Sequence, residues 1–419
     1  MFTRAMSFLL LLTLLAPAAF AQDAVYRPHN KYPVLDEMTK AYEARRAARD
    51  SVRKMVDDRY AAEAKAKKDA KQVLRVDWSE VEAPSGPDDF TRLWHNPPVP
   101  QFYTGTCWAF SSVSFMESEA HRIAGVDVKL SEMWVVYWEY VEKARSYLQE
   151  YGHTPVDEGG ESDGTLAIYA KYGAMPLSAY KGVLYEDGRH DHRELIDELK
   201  GYLKWVLDSG DIDIERNLEC VRGILDSYLG PVPDTCRYEG RTYGPREFLH
   251  EVLQLNPADY VSCVSRMNAP FGTRVLLDVH DNWRRNDNYL NLSLDDFMGT
   301  INKALDEGYT MAIGGDNSEP GMDGLHDKAI IPRWDIPSEF IDQASREMRI
   351  ENGTTGDDHG VHLVGRTTVD GRYWYLIKDS NRSSRLGKYK GYYMWREDYI
   401  KLKMLSFTVH KDVLGDLLD

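Results

Sequence analysis

The 419-residue sequence predicts an α+β fold, on the evidence of two patterns that lie far apart in the chain. An amphipathic helix follows Cys107, because apolar residues recur there at the spacing of one buried helix face until Gly125, which can end the helix. An alternating, strand-like run covers His359–Gly365 and leads through the turn signal Asp370–Gly371 into a second apolar run that ends at Asp379. We therefore expect the cysteine at the start of a helix and the histidine on a β-hairpin.

Residues 1–21 have the composition of a secretory signal. Arg4 precedes an apolar run from Phe8 to Leu15, and Ala19 and Ala21 form a small-residue cleavage site. The apolar run is too short to cross a bilayer, and no second stretch of about 18 apolar residues occurs. We expect an exported protein, periplasmic or extracellular after cleavage, without membrane insertion.

Residues 22–84 form the next predicted domain, a charged helical extension. Positions 36 to about 73 are rich in alanine and charged residues with sparse apolar ones, which indicates a long, mostly solvated helix. Its role could be that of an oligomerisation arm, a cover for the site or an outer helix, and we favour the last. The prolines and glycine of Pro84–Pro87 mark the boundary with the main domain, predicted over residues 85–419.

Cys107 has the local surroundings of an activated thiol. A free thiol has a pKa of about 8.5, and a helix N-terminus together with an adjacent imidazole favours the thiolate near neutral pH. Gln101 lies shortly before it and can supply a side-chain N–H which, with a backbone N–H, stabilises a developing oxyanion. The pattern is typical of a nucleophile for acyl transfer.

Such a nucleophile needs a histidine base and a side chain that orients it. His359 and His362 are three positions apart, so on a regular strand they face opposite sides of the sheet. A two-residue loop at Asp370–Gly371 would place His362 opposite Asp379, whereas a longer loop centred on Val369 would place His359 there. Strand register alone leaves both histidines open.

Two segments of the chain resemble the papain-like cysteine peptidases. Gln101–Ser111 is similar to their nucleophile segment, and Asp358–Gly365 lines up without a gap on their histidine segment. The resemblance implies a papain-like fold with a helical lobe and a β-rich, barrel-like lobe, and peptide hydrolysis through an acyl-thioester. It also implies that His359 is the base and that the second histidine is structural.

The resemblance implies roles for further residues. Gln101 and the N–H of Cys107 would form the oxyanion hole, and Trp108 would pack beside the nucleophile. Gly159 and Gly160 resemble the glycine pair at which the family holds an extended peptide through its backbone. The absence of a Cβ allows that close approach.

Two departures from the family pattern concern the third catalytic position. Asp379 stands where the family usually has Asn, but it can accept the imidazole N–H, and its charge favours a thiolate–imidazolium pair. The family's tryptophan after this position is missing from Ser380–Arg382, so we expect water to reach and weaken the His359–Asp379 bond. Two alternatives therefore stay open: a weakened or inactive peptide-binding protein, and a thiol acyltransferase on the same fold.

The distance from Cys107 to His359 along the chain exceeds the roughly 130 to 150 residues of papain-like enzymes. The additional residues, at about 185–310, resemble bleomycin hydrolase and bacterial aminopeptidase C in segments such as Tyr228–Pro231 and Tyr243–Phe248. This resemblance implies a large helical insertion, aminopeptidase-like activity and, as one possibility, a homohexamer. The C-terminal arm that restricts bleomycin hydrolases to amino termini is expected to be short or absent, so an endopeptidase is an alternative.

Composition narrows the partners and cofactors. A net charge of −16 at neutral pH disfavours binding to nucleic acid, and peptide substrates are the expected partners. Apart from Cys107, three cysteines remain, so at most one internal disulfide can form, and spacing does not reveal its pairing. Neither Cys-x-x-Cys nor His-Glu-x-x-His occurs, and we expect no metal or organic cofactor.

Overall fold

The computed structural model describes residues 25–211 and 213–418, so the predicted signal segment 1–21 lies outside the described residues. Contacts between Cα atoms divide the chain into two compact units, one that ends at Val73 and one that begins at Leu74. The second unit thus begins earlier in the chain than the boundary that the sequence indicates at Pro84–Pro87.

In the second unit, five helices follow one another between residues 107 and 229, and strands and helices are interspersed after them. Apart from short 3₁₀ turns, the described helices are α1 (Pro33–Asp69), α2 (Cys107–Ala124), α3 (Glu132–Gln149), α4 (Ser162–Tyr172), α5 (Arg193–Ser209), α6 (Ile214–Leu229), α7 (Pro245–Glu247), α8 (Leu294–Asp306), α9 (Gln343–Glu351), α10 (Glu397–Lys403) and α11 (Lys411–Leu414). A π-helical turn, Phe248–Val252, continues α7. No helix in the described ranges is both long enough and apolar enough to span a membrane.

The first unit contains α1, which has no buried residue over its 37 positions. Pro33 stands at the start of the helix, where its missing N–H costs no hydrogen bond. Ion pairs between side chains one turn apart, such as Lys54 with Asp58 at 2.7 Å, lie along its surface. The long solvated helix predicted over residues 36–73 is therefore present.

The strands of the second unit form one large sheet and one small hairpin. They are β1 (Thr91–Arg92), β2 (Cys236–Tyr238), β3 (Arg241–Tyr243), β4 (Tyr260–Val264), β5 (Arg274–Val275), β6 (Tyr289–Asn291), β7 (Met311–Gly315), β8 (Met322–Asp323), β9 (Lys328–Ala329), β10 (His359–Val369), β11 (Arg372–Lys378), β12 (Tyr392–Arg396) and β13 (Met404–His410). The strand order in the large sheet is β5-β6-β4-β13-β7-β10-β11-β12-β9-β8, with β1 paired to β10 and β2–β3 separate.

The large sheet is open rather than closed. It ends in the two-residue strands β5 and β8, which do not pair with each other in the described chain. Strands this short leave few backbone groups with which to close a barrel. The α+β prediction is confirmed, whereas the β-rich lobe is an open mixed sheet and not barrel-like.

Two hydrophobic clusters correspond to the two predicted lobes. The first is helical and centres on buried residues of α2, α3, α5 and α6, among them Trp134, Tyr137, Leu199 and Leu225. The second surrounds the sheet and includes Phe297, Tyr375, Trp395 and Phe407. Helix α2 packs against β10, so the start of this helix lies beside the start of the strand that carries His359.

The region 185–310, predicted as a helical insertion, is helical mainly in its first half. Helices α5 and α6 pack against each other and against α3 with leucine and valine side chains. Strands β4, β5 and β6 then join the large sheet before α8. The insertion therefore extends both lobes instead of forming a separate helical body.

The hairpin β10–β11 has a two-residue loop, one of the two loop lengths that the sequence left open, and Asp370 (φ 48°) and Gly371 (φ 69°) are both left-handed. A β-bulge between Leu363 and Gly365 shifts the register by one residue. His362 therefore lies opposite Lys378 and not opposite Asp379, as an unbroken ladder would require.

Candidate active site

Cys107 begins α2, so its backbone N–H belongs to the first turn, where helical N–H groups lack intrahelical acceptors. The side chain is half-buried and Gly105, just before it, is exposed, so a substrate can reach the sulfur. Gly125 ends the same helix in the left-handed conformation with φ 67°. The helix predicted from the apolar pattern thus has the predicted start and end.

His359 lies between the thiol and a carboxylate. Its Nε2 is 2.7 Å from Oδ1 of Asp379, and the ring is also in hydrogen-bonding contact with Cys107, for which Nδ1 is the nitrogen left. Burial by itself would lower the pKa of His359, but the charges of Asp379 and Cys107 outweigh it and hold this pKa well above the usual value. The imidazolium form is therefore stabilised in the site.

The His359–Asp379 bond is shielded from water, although the family's tryptophan is missing. His359 is 6% exposed and Asp379 2% exposed. The short turn Arg382–Arg385 takes the tryptophan's place: Ser384 contacts the backbone of Asp379, and the N–H of Asn381 donates to Oδ1 at 2.9 Å. The expectation that water reaches and weakens this bond is wrong, because a different segment covers it.

His362 makes a separate contact in the interior. Its Nδ1 is 2.8 Å from the hydroxyl of Ser114 on α2, and Lys378 donates to the same hydroxyl at 2.7 Å. Burial, together with the charge of Lys378, lowers the pKa of His362 well below its usual value. The ring is therefore neutral and helps to join α2 to the sheet.

Gln101 has a fixed side-chain orientation. One amide N–H donates to the carbonyl of Thr104 at 2.7 Å, and Oε1 accepts from the Ser380 hydroxyl at 2.7 Å. Because a carbonyl can only accept, the Thr104 contact determines which end is nitrogen. The second N–H stays available for an oxyanion. Ser380, which follows Asp379, therefore positions Gln101, a role that the sequence did not indicate.

The predicted glycine pair lies against the nucleophile segment. A Cβ on Gly160 would come within 2.9 Å of the Trp108 indole, and the Trp108 N–H donates to the carbonyl of Glu158 at 2.9 Å. A Cβ on Gly159 would overlap the carboxylate of Asp281. A side chain at either position would have to displace its neighbour, and the role of the pair in peptide binding stays a prediction.

Acidic side chains lie near this glycine pair, and no sequence pattern predicts a role for them. Glu158 accepts the N–H of Gly105 at 2.7 Å, and burial raises the pKa of its carboxyl. Glu161, Asp357 and Asp281 form a second group. The sequence indicates their proximity to the site only through adjacency: Glu161 follows the glycine pair, and Asp357 lies two positions before His359.

All four cysteines of the described chain are free thiols. Cys236 and Cys263 are buried, and burial raises the pKa of Cys263 above the usual range. Cys220 is exposed. Of these thiols, Cys107 is the one in contact with an imidazole, so the geometry singles it out as the nucleophile candidate.

Thiol, imidazole and carboxylate thus form a connected chain beside an amide donor. The arrangement can deliver a proton to a leaving amine, stabilise an oxyanion and hold an acyl group on sulfur. Among the described residues, no three His, Cys, Asp or Glu side chains are arranged so that together they could hold a metal ion.

Comparison with known proteins gives relatives along most of the chain. No family model matches the chain. Aminopeptidase C of Lactococcus lactis subsp. lactis is 22% identical over 365 residues, which cover 77% of this chain and 83% of the relative. Aminopeptidase C of Lactobacillus helveticus is 21% identical over 369 residues, covering 76% and 80% respectively.

A similar solved structure is that of PepW from Lactobacillus rhamnosis HN001. It superposes with a TM-score of 0.62 at 18% sequence identity and covers 93% of this chain and 94% of that one. At this identity the likeness concerns the fold. It extends over both lobes and the insertion.

The fold and these relatives support the resemblance to papain-like cysteine peptidases. The sequence relatives support the aminopeptidase C branch of that superfamily. The resemblance stated from the motif segments is thereby confirmed.

Proposed function

We propose that this protein hydrolyses peptide bonds through an acyl-thioester on Cys107 and releases amino-terminal residues. One observation carries the catalytic part: the ring of His359 contacts Cys107 and, through Nε2, Oδ1 of Asp379 at 2.7 Å. A nucleophile, a base and a group that orients the base form the signature of thiol-dependent acyl transfer.

In the first half-reaction the thiolate of Cys107 attacks the carbonyl carbon of the substrate. The oxygen becomes negative and accepts hydrogen bonds from the free N–H of Gln101 and the backbone N–H of Cys107. The imidazolium of His359 then protonates the leaving amine, the C–N bond breaks, and the acyl group stays on sulfur.

In the second half-reaction His359, now neutral, takes a proton from water. The resulting hydroxide attacks the thioester carbon, the same donors hold the oxyanion, and the C–S bond breaks. The products are a free acid and the regenerated thiolate–imidazolium pair. Asp379 keeps the ring in one orientation and stabilises its charged form in both steps.

The aminopeptidase part rests on the relatives, which are named aminopeptidase C. The test compares matched peptides with a free and an acetylated amino terminus. We expect cleavage of the free peptide one residue from its end and at least a tenfold preference over the acetylated one. Internal cleavage of acetylated peptides at an equal rate would establish an endopeptidase instead.

The same preparation separates the two remaining alternatives. A thiol-directed epoxide should modify Cys107 much faster than the exposed Cys220, which is the matched internal control. Equal rates would indicate a silent peptide-binding protein. A transpeptidase would transfer the acyl group to an added amine, whereas the proposed hydrolase yields free acid when the amine is dilute.

We propose further that the protein is exported. The support is the pattern of Arg4, the apolar run Phe8–Leu15 and the small residues Ala19 and Ala21. The test is the amino-terminal sequence of the protein recovered from its native host, which should begin near Gln22. A mature chain that retains Met1–Ala21 would contradict export by this signal.

A further inference from the structure

Three carboxyl groups converge beside the glycine pair. Glu161, the residue after Gly160, is 8% exposed, and its carboxyl interacts with that of Asp357. Asp281, on the loop before β6, lies against Gly159 and adds its charge to both. The three residues belong to three chain segments that are far apart in sequence, so the fold alone brings them near one another.

The group borders the reacting residues. Asp357 lies two positions before His359 and interacts with the charge of that ring. Gly160 packs on Trp108, which directly follows the nucleophile. The carboxyls therefore line the acyl side of the site, next to the backbone that the glycine pair leaves bare.

The carboxyls are not neutralised by the protein. Among residues 25–211 and 213–418, none of the three forms an ion pair with lysine, arginine or histidine. Oε1 of Glu161 is buried and receives no N–H donor from the described chain.

The nearby cations already have other partners. Arg284 pairs with Glu139, and Lys143 donates to the carbonyls of Asp157 and Gly159.

Burial and mutual repulsion determine the protonation of this group. Burial, reinforced by the charge of Asp357, raises the pKa of Glu161 well above its usual value. Burial also raises the pKa of Asp357 to about 6, although the interaction with Glu161 opposes the rise. The two carboxyls therefore repel each other when both are charged, and an incoming cation would relieve that repulsion.

We propose that Glu161, Asp357 and Asp281 bind the α-ammonium group of the substrate's amino-terminal residue. This inference rests on the proposed function and names the residues that would make the enzyme an aminopeptidase. The α-nitrogen is two bonds from the carbonyl carbon that Cys107 attacks, so any group that holds it must border the nucleophile on the acyl side. The three carboxyls meet this requirement, and the buried Oε1 of Glu161 supplies an acceptor without a donor.

The insertion takes part in this specificity through Asp281. Its carboxylate occupies the space that a side chain on Gly159 would fill, so it lies against the backbone of the glycine pair. Burial raises the pKa of Asp281 above its ordinary value, while Lys143 opposes the rise. Acidic side chains at this place accept a free ammonium group. They disfavour an acetylated amino terminus, which brings a carbonyl oxygen and no positive charge.

The experiment compares alanyl and propionyl anilides, which differ in the α-ammonium group alone. The wild type should prefer the alanyl anilide. Glu161→Gln and Asp357→Asn should each reduce the alanyl-to-propionyl ratio of kcat/KM at least tenfold, mainly through a higher KM for the alanyl substrate. Asp281→Asn should reduce it less, because its carboxylate is the most exposed to competing water.

Asp157→Asn is the matched control, since it removes a nearby charge that Lys200 and His280 already neutralise, and it should leave the ratio unchanged. The iodoacetamide alkylation rate of Cys107 should be equal in all variants, which shows that the dyad and the fold are intact. An unchanged ratio in Glu161→Gln and Asp357→Asn would overturn the assignment. So would a loss of activity in these variants that is confined to acetylated lysyl substrates, because the carboxyls would then bind a lysine side chain and not the α-ammonium group. A wild type that is alkylated but hydrolyses neither anilide would instead refute the proposed hydrolase function.

Discussion

At the scale of single residues, the unusual carboxylate at position 379 has a physical consequence. An asparagine could orient the ring of His359 equally well, but only a carboxylate adds a charge, and that charge contributes to the raised pKa of this histidine. Burial of the pair to 6% and 2% exposure limits screening by water. Asp379 therefore affects the pH range over which the His359 imidazolium is present more than it affects the geometry of the site.

The pH dependence of Asp379→Asn follows from this charge. A raised His359 pKa keeps the imidazolium, and with it the active ion pair, up to higher pH. Removing the carboxylate lowers that pKa, so the alkaline limb of kcat/KM should move to lower pH by about 1 to 3 units, with activity retained at neutral pH. The measurement is a pH profile with one substrate, and an alkaline limb that does not move would contradict the role of the charge.

Gln101 and Ser380 allow a second prediction at this scale. Gln101→Ala removes one of two oxyanion donors and should lower kcat by about 10²- to 10³-fold with little change in KM. Ser380→Ala leaves the amide in place but releases Oε1, so its loss should be smaller. Single-turnover kinetics measure both, and equal losses would show that Ser380 acts by some other route.

At the scale of elements, the packing of α2 against β10 positions the nucleophile and the base. Gly360 follows the base, and a Cβ there would lie 3.0 Å from the Ser111 hydroxyl and 3.2 Å from the Trp108 backbone. Ser114, one helical turn further along, bonds with His362 at 2.8 Å. Helix α2 and strand β10 approach each other closely because Gly360 has no side chain and because the buried His362 ring has a hydrogen-bond partner in Ser114.

Gly360→Ala tests this close approach. The added methyl group should force α2 away from β10, lower the free energy of unfolding by about 1 to 3 kcal/mol and slow alkylation of Cys107. Gly201→Ala on α5 is the control, since its Cβ would meet nothing within 4 Å, and it should be neutral or stabilising by about 0.5 to 1 kcal/mol. Urea denaturation and iodoacetamide kinetics provide both readouts, and an unaffected Gly360→Ala would show that the interface has room.

At the scale of the whole molecule, the two compact units differ in what stabilises them. Helix α1 has no buried residue, whereas the unit from Leu74 contains the hydrophobic clusters of the helical part and the sheet. Exposed ion pairs such as Lys54–Asp58 contribute little to stability. Assembly into hexamers, which the resemblance implies, stays a prediction at this scale.

Deletion of residues 1–73 tests whether the second unit is self-sufficient. Because none of residues 25–73 is buried, the shortened chain should unfold at the same temperature and hydrolyse the anilides with unchanged kcat/KM. Calorimetry and initial rates measure this. A drop of several degrees, or a marked change in activity, would show that α1 contributes to the peptidase unit.

Some of this was readable from the sequence because it depends on neighbouring residues. The start of α2 at Cys107, its end at Gly125 and the two-residue turn at Asp370–Gly371 follow from periodicity and from glycine's access to positive φ. The class of protein followed from two short segments that resemble a known family. The catalytic roles of the residues brought together in the site stay predictions.

The tertiary structure decided what depends on contacts between distant residues. The bulge between Leu363 and Gly365 moves His362 opposite Lys378, and no local pattern signals a one-residue shift whose cause is packing on other strands. Likewise, the turn Arg382–Arg385 shields the His359–Asp379 bond, and Asp281 reaches Gly159 from far along the chain. Local sequence determined which groups were present, and only packing across the fold determined which of them touch.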